Sequence, residues 1–183
     1  MINRSKYRIC IAGAAAFVCL KLFYKLSTTD DLYFLLGPVS WVIKMITGYA
    51  AMYVPGKGFF FRADRIIINK SCSGFSFMLI CLTLTVLLLV KYSRNEVLFL
   101  KRLVTGIGIS YLFTLLVNSA RILTLLWIKK TAFCTSRIAA GPLHELLGAF
   151  IYLLYLTTAY LISDHYLRKK YENSPQPKMD LCR

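Results

Sequence analysis

The sequence has no Cys-x-x-Cys pair among its six cysteines and few acidic residues, eight Asp and Glu against 23 Lys and Arg. Without a vicinal pair, neither a zinc knuckle nor a thioredoxin-type redox pair is indicated. The sequence also lacks an internal repeat and a low-complexity tract, which argues against a transporter built from duplicated halves. Nothing in it points to a metal or an organic cofactor.

What the chain does contain is apolar sequence: 57% of its 183 residues are hydrophobic and its mean hydropathy is +0.58. Apolar runs of about 18 residues or more indicate an integral membrane protein, and the length suffices for one bundle. The net charge of +15 comes from basic residues scattered in loops and tails beside the apolar segments. Anionic membrane lipids are therefore the expected counterions, and nucleic acid is not.

Four segments have the length and composition of membrane-spanning helices: 9–26, 74–90, 103–128 and 143–163. The first has a basic front, as a signal peptide does. Lys21 and Lys25 lie near its end, where a small-residue cleavage site would be expected, so the segment is predicted to be a retained anchor.

A fifth apolar segment, 32–54, is interrupted by Gly37, Pro38, Lys44 and Gly48. This pattern suits an interfacial or re-entrant helix better than a span. The distribution of Lys and Arg also favours four spans, because that arrangement places more basic residues on the cytoplasmic side, together with both chain ends.

The resulting fold class is all-α: an integral membrane bundle of four transmembrane helices, or five, with an interfacial helix and a short extended segment on the outer face. The extended or hairpin element is predicted between Val54 and Ser71 from its alternation and glycines. Residues 1–163 form a single membrane domain, and the polar tail 164–183 is predicted to be cytoplasmic and disordered.

Cys72 is the candidate nucleophile, because Ser71-Cys72-Ser73-Gly74 places its thiol where the extended element meets the second span. A helix N-terminus there would favour a thiolate and supply N–H groups for an oxyanion hole, while Gly74 would let a substrate backbone approach. The alternatives are a buried cap cysteine, or a disulfide with Cys134 that would consume the thiol. The cysteines inside apolar spans are interpreted as small hydrophobic residues: Cys10, Cys19 and Cys81.

Arg121 lies deep in the third span, where even mild insertion scales assign a guanidinium about 2.5–3.5 kcal/mol. Asn118 lies one turn away on the same face and could orient the guanidinium or a substrate carbonyl. The alternative is an arginine that extends towards the outer headgroups.

His144 begins the last span after Pro142, a residue suited to a first helical turn, and its imidazole could titrate near neutral pH. Gly148, one turn later, leaves room for close packing beside it. His165 lies among basic residues on the cytoplasmic side and is a poor candidate. Because successive spans alternate in direction, Cys72, Arg121 and His144 all meet at the outer face, a combination suited to covalent acyl transfer.

Three sequence boxes, Cys-Ser-Gly at 72–74, Asn-x-x-Arg at 118–121 and His-x-x-x-Gly at 144–148, resemble the exosortase/archaeosortase family in order and sidedness. The resemblance covers about residues 36–163 and includes the glycine-rich region before the cysteine. Many members have about eight spans, so this chain resembles a short form such as the K-type exosortases.

The resemblance implies a cysteine transpeptidase or peptidase of the plasma or inner membrane. Its substrates would be exported proteins that end in a short motif, one transmembrane helix and a basic tail. Cys72 would attack the scissile carbonyl, Arg121 would stabilise the thiolate or oxyanion, and His144 would transfer the proton. Ser73, Gly74 and Asn118 would bind or orient the substrate.

Two alternatives stay open at this point. A non-enzymatic membrane protein, such as a scaffold or a transporter subunit, would use Arg121 for a lipid phosphate and Cys72 structurally. A membrane thiol oxidoreductase would need a vicinal cysteine pair, which the sequence lacks.

Overall fold

The computed structural model describes residues 4–62, 66–92, 96–131 and 142–172. At some helix ends only the backbone is described, and these positions include 129–131, 142–145 and 147. The described residues are mostly helical, as predicted, and form five α-helices: α1 (Arg4–Leu26), α2 (Tyr33–Thr47), α3 (Phe75–Tyr92), α4 (Glu96–Thr131) and α5 (Pro142–Glu172).

Three stretches within the described residues are long and apolar enough to cross a membrane: Tyr7–Leu26, Lys70–Tyr92 and Phe99–Ile128. None of the apolar window of α1 is buried against other protein, so its side chains suit a hydrocarbon environment. The chain is therefore a membrane protein. The predicted fourth span lies within α5, and the number of crossings stays a prediction.

Helix α2 forms the centre of the core although it has only 15 residues. Its buried residues recur with helical spacing, and they share one buried core with residues of the sheet, α3 and α4: Leu35, Leu36, Val39 and Ile43. At about 1.5 Å per residue the helix is about 22 Å long. Its placement as an interfacial or re-entrant element stays a prediction.

Helix α2 continues through Pro38, one of the residues that interrupt the apolar sequence of this segment. A proline has no N–H to donate to the carbonyl four residues earlier, here Phe34. The Tyr111 hydroxyl of α4 donates to that carbonyl at 2.7 Å instead. The helix ends one residue before Gly48, whose left-handed backbone (φ 72°) lets its N–H bond to the Lys44 carbonyl at 2.8 Å.

The extended element predicted for residues 54–71 is a three-stranded antiparallel sheet in the order β1-β2-β3: β1 (Ala51–Val54), β2 (Gly58–Phe61) and β3 (Ile66–Ile68). The sheet begins earlier than predicted, because β1 takes the last residues of the segment 32–54 that the sequence assigned to a helix. Pro55 follows β1 in a turn that the Lys57 N–H closes on the Val54 carbonyl at 3.0 Å. Phe59, Phe61 and Ile68 point into the core under α2. The last strand leads directly into the Lys70–Cys72 turn, so the sheet fixes the position of the turn that contains the candidate nucleophile.

Helices α3, α4 and α5 pack on one another, and polar contacts mark the end of the bundle away from Cys72. There the Lys91 ammonium pairs with Asp164 at 2.8 Å, and the Tyr92 hydroxyl donates to the same carboxylate at 2.7 Å. This pairing joins α3 to α5.

The prediction of a disordered tail from residue 164 is wrong over its first part, because α5 continues to Glu172. The ion pair at Asp164 holds the first turn of this extension against α3. The remainder, 173–183, lies outside the described residues.

Candidate active site

Cys72 ends a short 3-10 turn, Lys70–Cys72, and α3 begins three residues later at Phe75. Two residues, Ser73 and Gly74, therefore separate Cys72 from the first residue of α3. The N–H groups nearest to the thiol already have partners: Cys72 donates to the Asn69 carbonyl at 2.9 Å, and Ser73 to the Lys70 carbonyl at 3.1 Å. The turn fixes the backbone of the cysteine, and its thiol is free and half-buried.

The residues before the thiol form a compact polar turn. Asn69 Oδ1 accepts hydrogen bonds from the Ser71 N–H at 3.1 Å and from the Ser71 hydroxyl at 2.7 Å. That hydroxyl lies 3.9 Å from the Cys72 sulfur. Such local side-chain hydrogen bonds stabilise a short turn that lacks the backbone hydrogen bonds of a longer helix.

Ser73 is buried, with 1% of its surface exposed, and its hydroxyl accepts a hydrogen bond from the Phe75 N–H at 3.3 Å. This contact gives Ser73 a structural role at the start of α3. The role predicted for Ser73 in substrate binding stays a prediction.

Gly74 provides the close approach predicted from the sequence, but the group beside it belongs to the protein. Its backbone is left-handed (φ 73°), and an added Cβ would lie 3.0 Å from the Asn118 amide carbon. A larger residue would be strained in this conformation and would press on Asn118. Gly74 therefore lets the side chain of Asn118 reach the Lys70–Cys72 turn.

Asn118 is fully buried on α4, and its amide connects two parts of the site. Its Nδ2 donates to the Cys72 carbonyl at 2.7 Å, and its Oδ1 accepts from the Tyr152 hydroxyl at 2.7 Å. An amide with both ends bonded has a fixed orientation. The side chain thus holds the turn that carries the thiol.

Arg121 lies one turn after Asn118 and faces into the bundle. Its Nη1 donates to the Tyr152 hydroxyl at 3.0 Å, and its guanidinium lies 5.0 Å from the centre of the Tyr152 ring. The Tyr152 ring in turn stacks on Phe77 of α3 at 4.5 Å. These inward contacts differ from those of an arginine that extends towards lipid headgroups.

Gly148 of α5 supplies the space that the guanidinium occupies. A Cβ at this position would lie 2.5 Å from Arg121 Nε and 2.9 Å from Cζ. The sequence had predicted that Gly148 makes room beside the imidazole of His144. Position 144 lies in the first turn of α5, one turn before Gly148, and its side chain lies outside the described part of the structure.

The match to known proteins covers all of these positions. Residues 11–161 match the family described as transmembrane exosortase (Exosortase_EpsH). The chain belongs to the transmembrane exosortase family. Neither the curated proteins nor the solved structures contain a match to it.

The guanidinium of this exosortase has unused capacity to bind an anion. Among the described residues, no carboxylate pairs with Arg121, and its Nε is buried without a hydrogen-bond partner. The guanidinium is half-buried, and its contacts are a neutral hydroxyl and an aromatic ring, so its charge is incompletely compensated. An anionic group at this place would gain a charge-assisted hydrogen bond.

Within the described ranges, no cluster of three His, Cys, Asp or Glu residues could hold a metal ion. The four cysteines there are free thiols: Cys10, Cys19, Cys72 and Cys81. Cys134, the other member of the alternative disulfide, lies outside the described residues.

Tyr152 is the member of the site that the sequence did not reveal. It lies four residues after Gly148, so both occupy one face of α5. The signal was weak, because the exosortase has 12 tyrosines and most of the neighbours of Tyr152 in sequence are apolar. Its hydroxyl, which donates to Asn118 and accepts from Arg121, joins the two predicted polar residues.

Proposed function

We propose that the protein is a membrane cysteine transpeptidase or peptidase that cleaves the C-terminal sorting signals of exported proteins. The observation that carries this proposal is the continuous set of bonds from the Cys72 carbonyl through Asn118 and Tyr152 to Arg121. These bonds hold the residue with the free thiol and the incompletely compensated guanidinium in fixed positions relative to each other. Fixed placement of the reacting groups is a principal source of enzymatic rate enhancement.

The reaction begins when the Cys72 thiol gives its proton to His144 and the sulfur attacks the scissile carbonyl. The C–N bond breaks, a thioester forms on Cys72, and the leaving amine takes the proton from His144. An acceptor amine then attacks the thioester, releases the thiolate and gives up a proton to His144. Water in place of the amine makes the same steps a hydrolysis.

Arg121 stabilises the negative charge that these steps create. Its unpaired Nε donor favours either the thiolate or the oxyanion of the tetrahedral intermediate. The backbone N–H groups of Cys72, Ser73 and Phe75 have partners already, so the guanidinium is the more available donor for this charge. This role explains a cation in an apolar bundle better than a lipid contact does, because its contacts run inward.

The substrates are exported proteins that end in a short motif, one transmembrane helix and a basic tail. We place the site on the extracytoplasmic face of the plasma or inner membrane, with both termini in the cytoplasm and four spans. The segment 32–54 lies at the interface in this arrangement. Family membership supports this substrate class, as does the position of the site at one end of the bundle.

The test is coexpression with an exported protein that carries such a signal, with cleavage followed by the mass of the product. Cys72→Ala, Arg121→Ala and His144→Ala should each abolish processing while the enzyme still folds. Cys19→Ala is the matched control, because Cys19 is exposed on α1 and away from the site. Normal processing by Cys72→Ala would overturn the proposal and favour a scaffold role.

A further inference from the structure

A groove of about 530 Å³ lies where the C-terminal end of α1 meets the turn that carries Cys72. It is lined by Phe17, Val18, Lys21, Leu22, Tyr24, Lys25 and Lys70. The residues of α1 recur every three or four positions and so form one face of the helix. We call this feature the lysine groove. Its volume is within the roughly 300–1,000 Å³ range of small-molecule sites.

The three lysines give the groove a concentrated positive charge. Lys70 Nζ donates to the Ser27 carbonyl at 2.7 Å and to the Lys25 carbonyl at 3.2 Å, and it thereby caps the end of α1. Lys21 Nζ donates to the Ser76 hydroxyl at 3.1 Å. Among the described residues, no carboxylate forms an ion pair with any of the three.

Asp31 interacts with Lys70 through space but forms no ion pair with it, and its hydrogen bonds come from Thr28. Two Thr28 groups, its N–H at 2.7 Å and its hydroxyl at 2.9 Å, bond to the Asp31 carboxylate. These bonds are the larger cause of the lowered pKa of Asp31, and the Lys70 charge is a smaller one. The like charges of the groove therefore favour an anion from outside the protein.

The rest of the groove is apolar and lies deeper along α1. Val18 and Leu22 are exposed by 55% and 54%, and Phe17 is eight residues, or about 12 Å, before Lys25 along the helix axis. The lysines lie at the end of a segment that is long and apolar enough to span a membrane. This arrangement matches a phospholipid at the membrane interface. The lysines lie at the level of the headgroup, and the apolar side chains lie at the level of the acyl chains.

We propose that the lysine groove binds the phosphate headgroup of an anionic phospholipid, with an acyl chain against Phe17, Val18 and Leu22. Lys21 and Lys25 contact the phosphate, and Lys70 contributes its remaining donor and charge. A soluble phosphate would leave the apolar lining uncovered, and an acidic peptide would not match a wall of hydrocarbon side chains. The inference is independent of the proposed reaction, because it concerns lipid binding without substrate.

A lipid here would bear on the reactive turn. Lys70 and Cys72 begin and end the same 3-10 turn, and Tyr24 of the groove stacks on Phe75 at 5.0 Å. The Tyr24 hydroxyl also donates to the Lys70 carbonyl at 3.2 Å. A bound headgroup therefore stabilises the start of the turn whose end is held by Asn118.

The test uses the full chain in phosphatidylcholine nanodiscs that contain increasing fractions of phosphatidylglycerol. Thermal unfolding reports stabilisation by a ligand that binds the folded state, and native mass spectrometry counts retained lipids. The double variant Lys21→Gln/Lys25→Gln should lower the apparent affinity for phosphatidylglycerol by about 30-fold, or about 2 kcal/mol at 1.4 kcal/mol per factor of ten. Lys70 is left intact because it caps α1.

The matched control is Lys44→Gln/Lys57→Gln, which removes the same charge from two exposed lysines outside the groove. It should bind phosphatidylglycerol as the wild type does. An equal loss in both double variants would overturn the proposal, because it would show general charge attraction. Equal stabilisation of the wild type by soluble glycerol 3-phosphate or by an acidic peptide would also overturn it.

If the Lys21→Gln/Lys25→Gln variant does not fold, Lys21→Arg/Lys25→Arg replaces it. This variant keeps the charge and should retain phosphatidylglycerol, and loss of the lipid from a folded protein would contradict the proposal. Rising salt should release phosphatidylglycerol from the wild type, because exposed charges are screened. Lipid binding that does not change with salt concentration would contradict a role of the lysines in binding the headgroup.

Discussion

The side chain of Asn118 holds the backbone of Cys72, since its Nδ2 donates to the Cys72 carbonyl at 2.7 Å across a sequence separation of 46 residues. The bond connects α4 to the turn before α3, two segments that the membrane-spanning part of α3 separates. The position of Cys72, the proposed nucleophile, thus depends on a residue whose own orientation is set by Tyr152.

Replacing Asn118 with Ala should destabilise the protein by about 1–3 kcal/mol, because the Cys72 carbonyl and the Tyr152 hydroxyl lose a buried partner. Processing should fall by about 100-fold, as expected when a reacting group moves by about 1 Å. Ser119→Ala is the control, since the Ser119 hydroxyl is buried with no hydrogen-bond partner among the described residues. Equal effects of the two changes would contradict this assignment.

Gly148→Ala should displace the Arg121 guanidinium, because the new Cβ would lie 2.5 Å from Nε. We expect processing to fall by about tenfold to 100-fold with α5 still helical by circular dichroism. The matched change is Gly108→Ala, since a Cβ there meets nothing within 4 Å. It should leave processing intact and raise stability by up to about 1 kcal/mol. An active Gly148→Ala enzyme would show that the guanidinium position is unimportant.

Tyr152→Phe removes a hydroxyl that joins Arg121 to Asn118 and keeps the ring that stacks on Phe77. The lost bond to a charged group should lower the maximal rate by about tenfold, which corresponds to about 1.4 kcal/mol. The rate of Cys72 alkylation should change in the same variant if the network orders the reactive turn. Tyr155→Phe, one turn away on α5, should alter neither quantity. If Tyr152→Phe changes neither the alkylation rate nor processing, the Tyr152 hydroxyl has no functional role in the site.

The sequence located Cys72, Asn118 and Arg121 because polar residues in apolar segments stand out. It could not show how they are connected. The connection uses a carbonyl group and a tyrosine hydroxyl, and neither differs in the sequence from many others. Gly148 was recognised as a source of space, but the group that fills the space in the structure is the guanidinium. Contacts between helices depend on their rotation, which a sequence pattern fixes only approximately.

Tyr111→Phe should destabilise the protein by about 1 kcal/mol, because the Phe34 carbonyl loses the hydroxyl that replaces the missing proline N–H. Pro38→Ala restores an N–H that can bond to this carbonyl. The two changes together should therefore cost less than the sum of their separate effects. Unfolding of both single variants and the double variant in detergent measures this coupling. Strict additivity would mean that the tyrosine does not compensate for Pro38.

The contact between Asp30 and the sheet should give stability a dependence on pH. Hydrogen bonds from the Tyr53 hydroxyl and then the Gly56 N–H lower the pKa of Asp30, and the bond to Asp30 raises the pKa of Tyr53 to about 12. The carboxylate stabilises the fold fully above its unfolded pKa of about 3.9 and loses this effect as the pH falls through the lower folded value. For Tyr53, stability is complete below about 10 and is lost as the pH rises through about 12.

Thermal unfolding across these two pH windows tests the contact. Asp30→Asn should lessen the acid dependence, and Tyr53→Phe should remove the alkaline one. If both variants follow the wild-type profile at both extremes, the Asp30–Tyr53 bond contributes nothing measurable to stability.

In the fold, too, local sequence patterns predicted the secondary-structure elements, but they did not predict the contacts between distant residues. Apolar length predicted the regions of α1, α3 and α4, and glycine with alternation predicted the extended element. The continuation of α2 through Pro38 depends on Tyr111, more than 70 residues later in the chain. The extension of α5 beyond residue 163 is accompanied by an ion pair with Lys91. Both outcomes depend on partners distant in sequence, which local composition does not reveal.

The hydrogen bonds that hold Cys72 in its turn are made by its main chain, through the N–H to Asn69 and the carbonyl to Asn118. Replacing the side chain at this position with another small one should therefore change the stability of the fold very little. A Cys72→Ser enzyme should keep the shape of the site and bind its client without releasing a product. That variant can serve as a trap with which uncleaved clients are isolated from the membrane and identified.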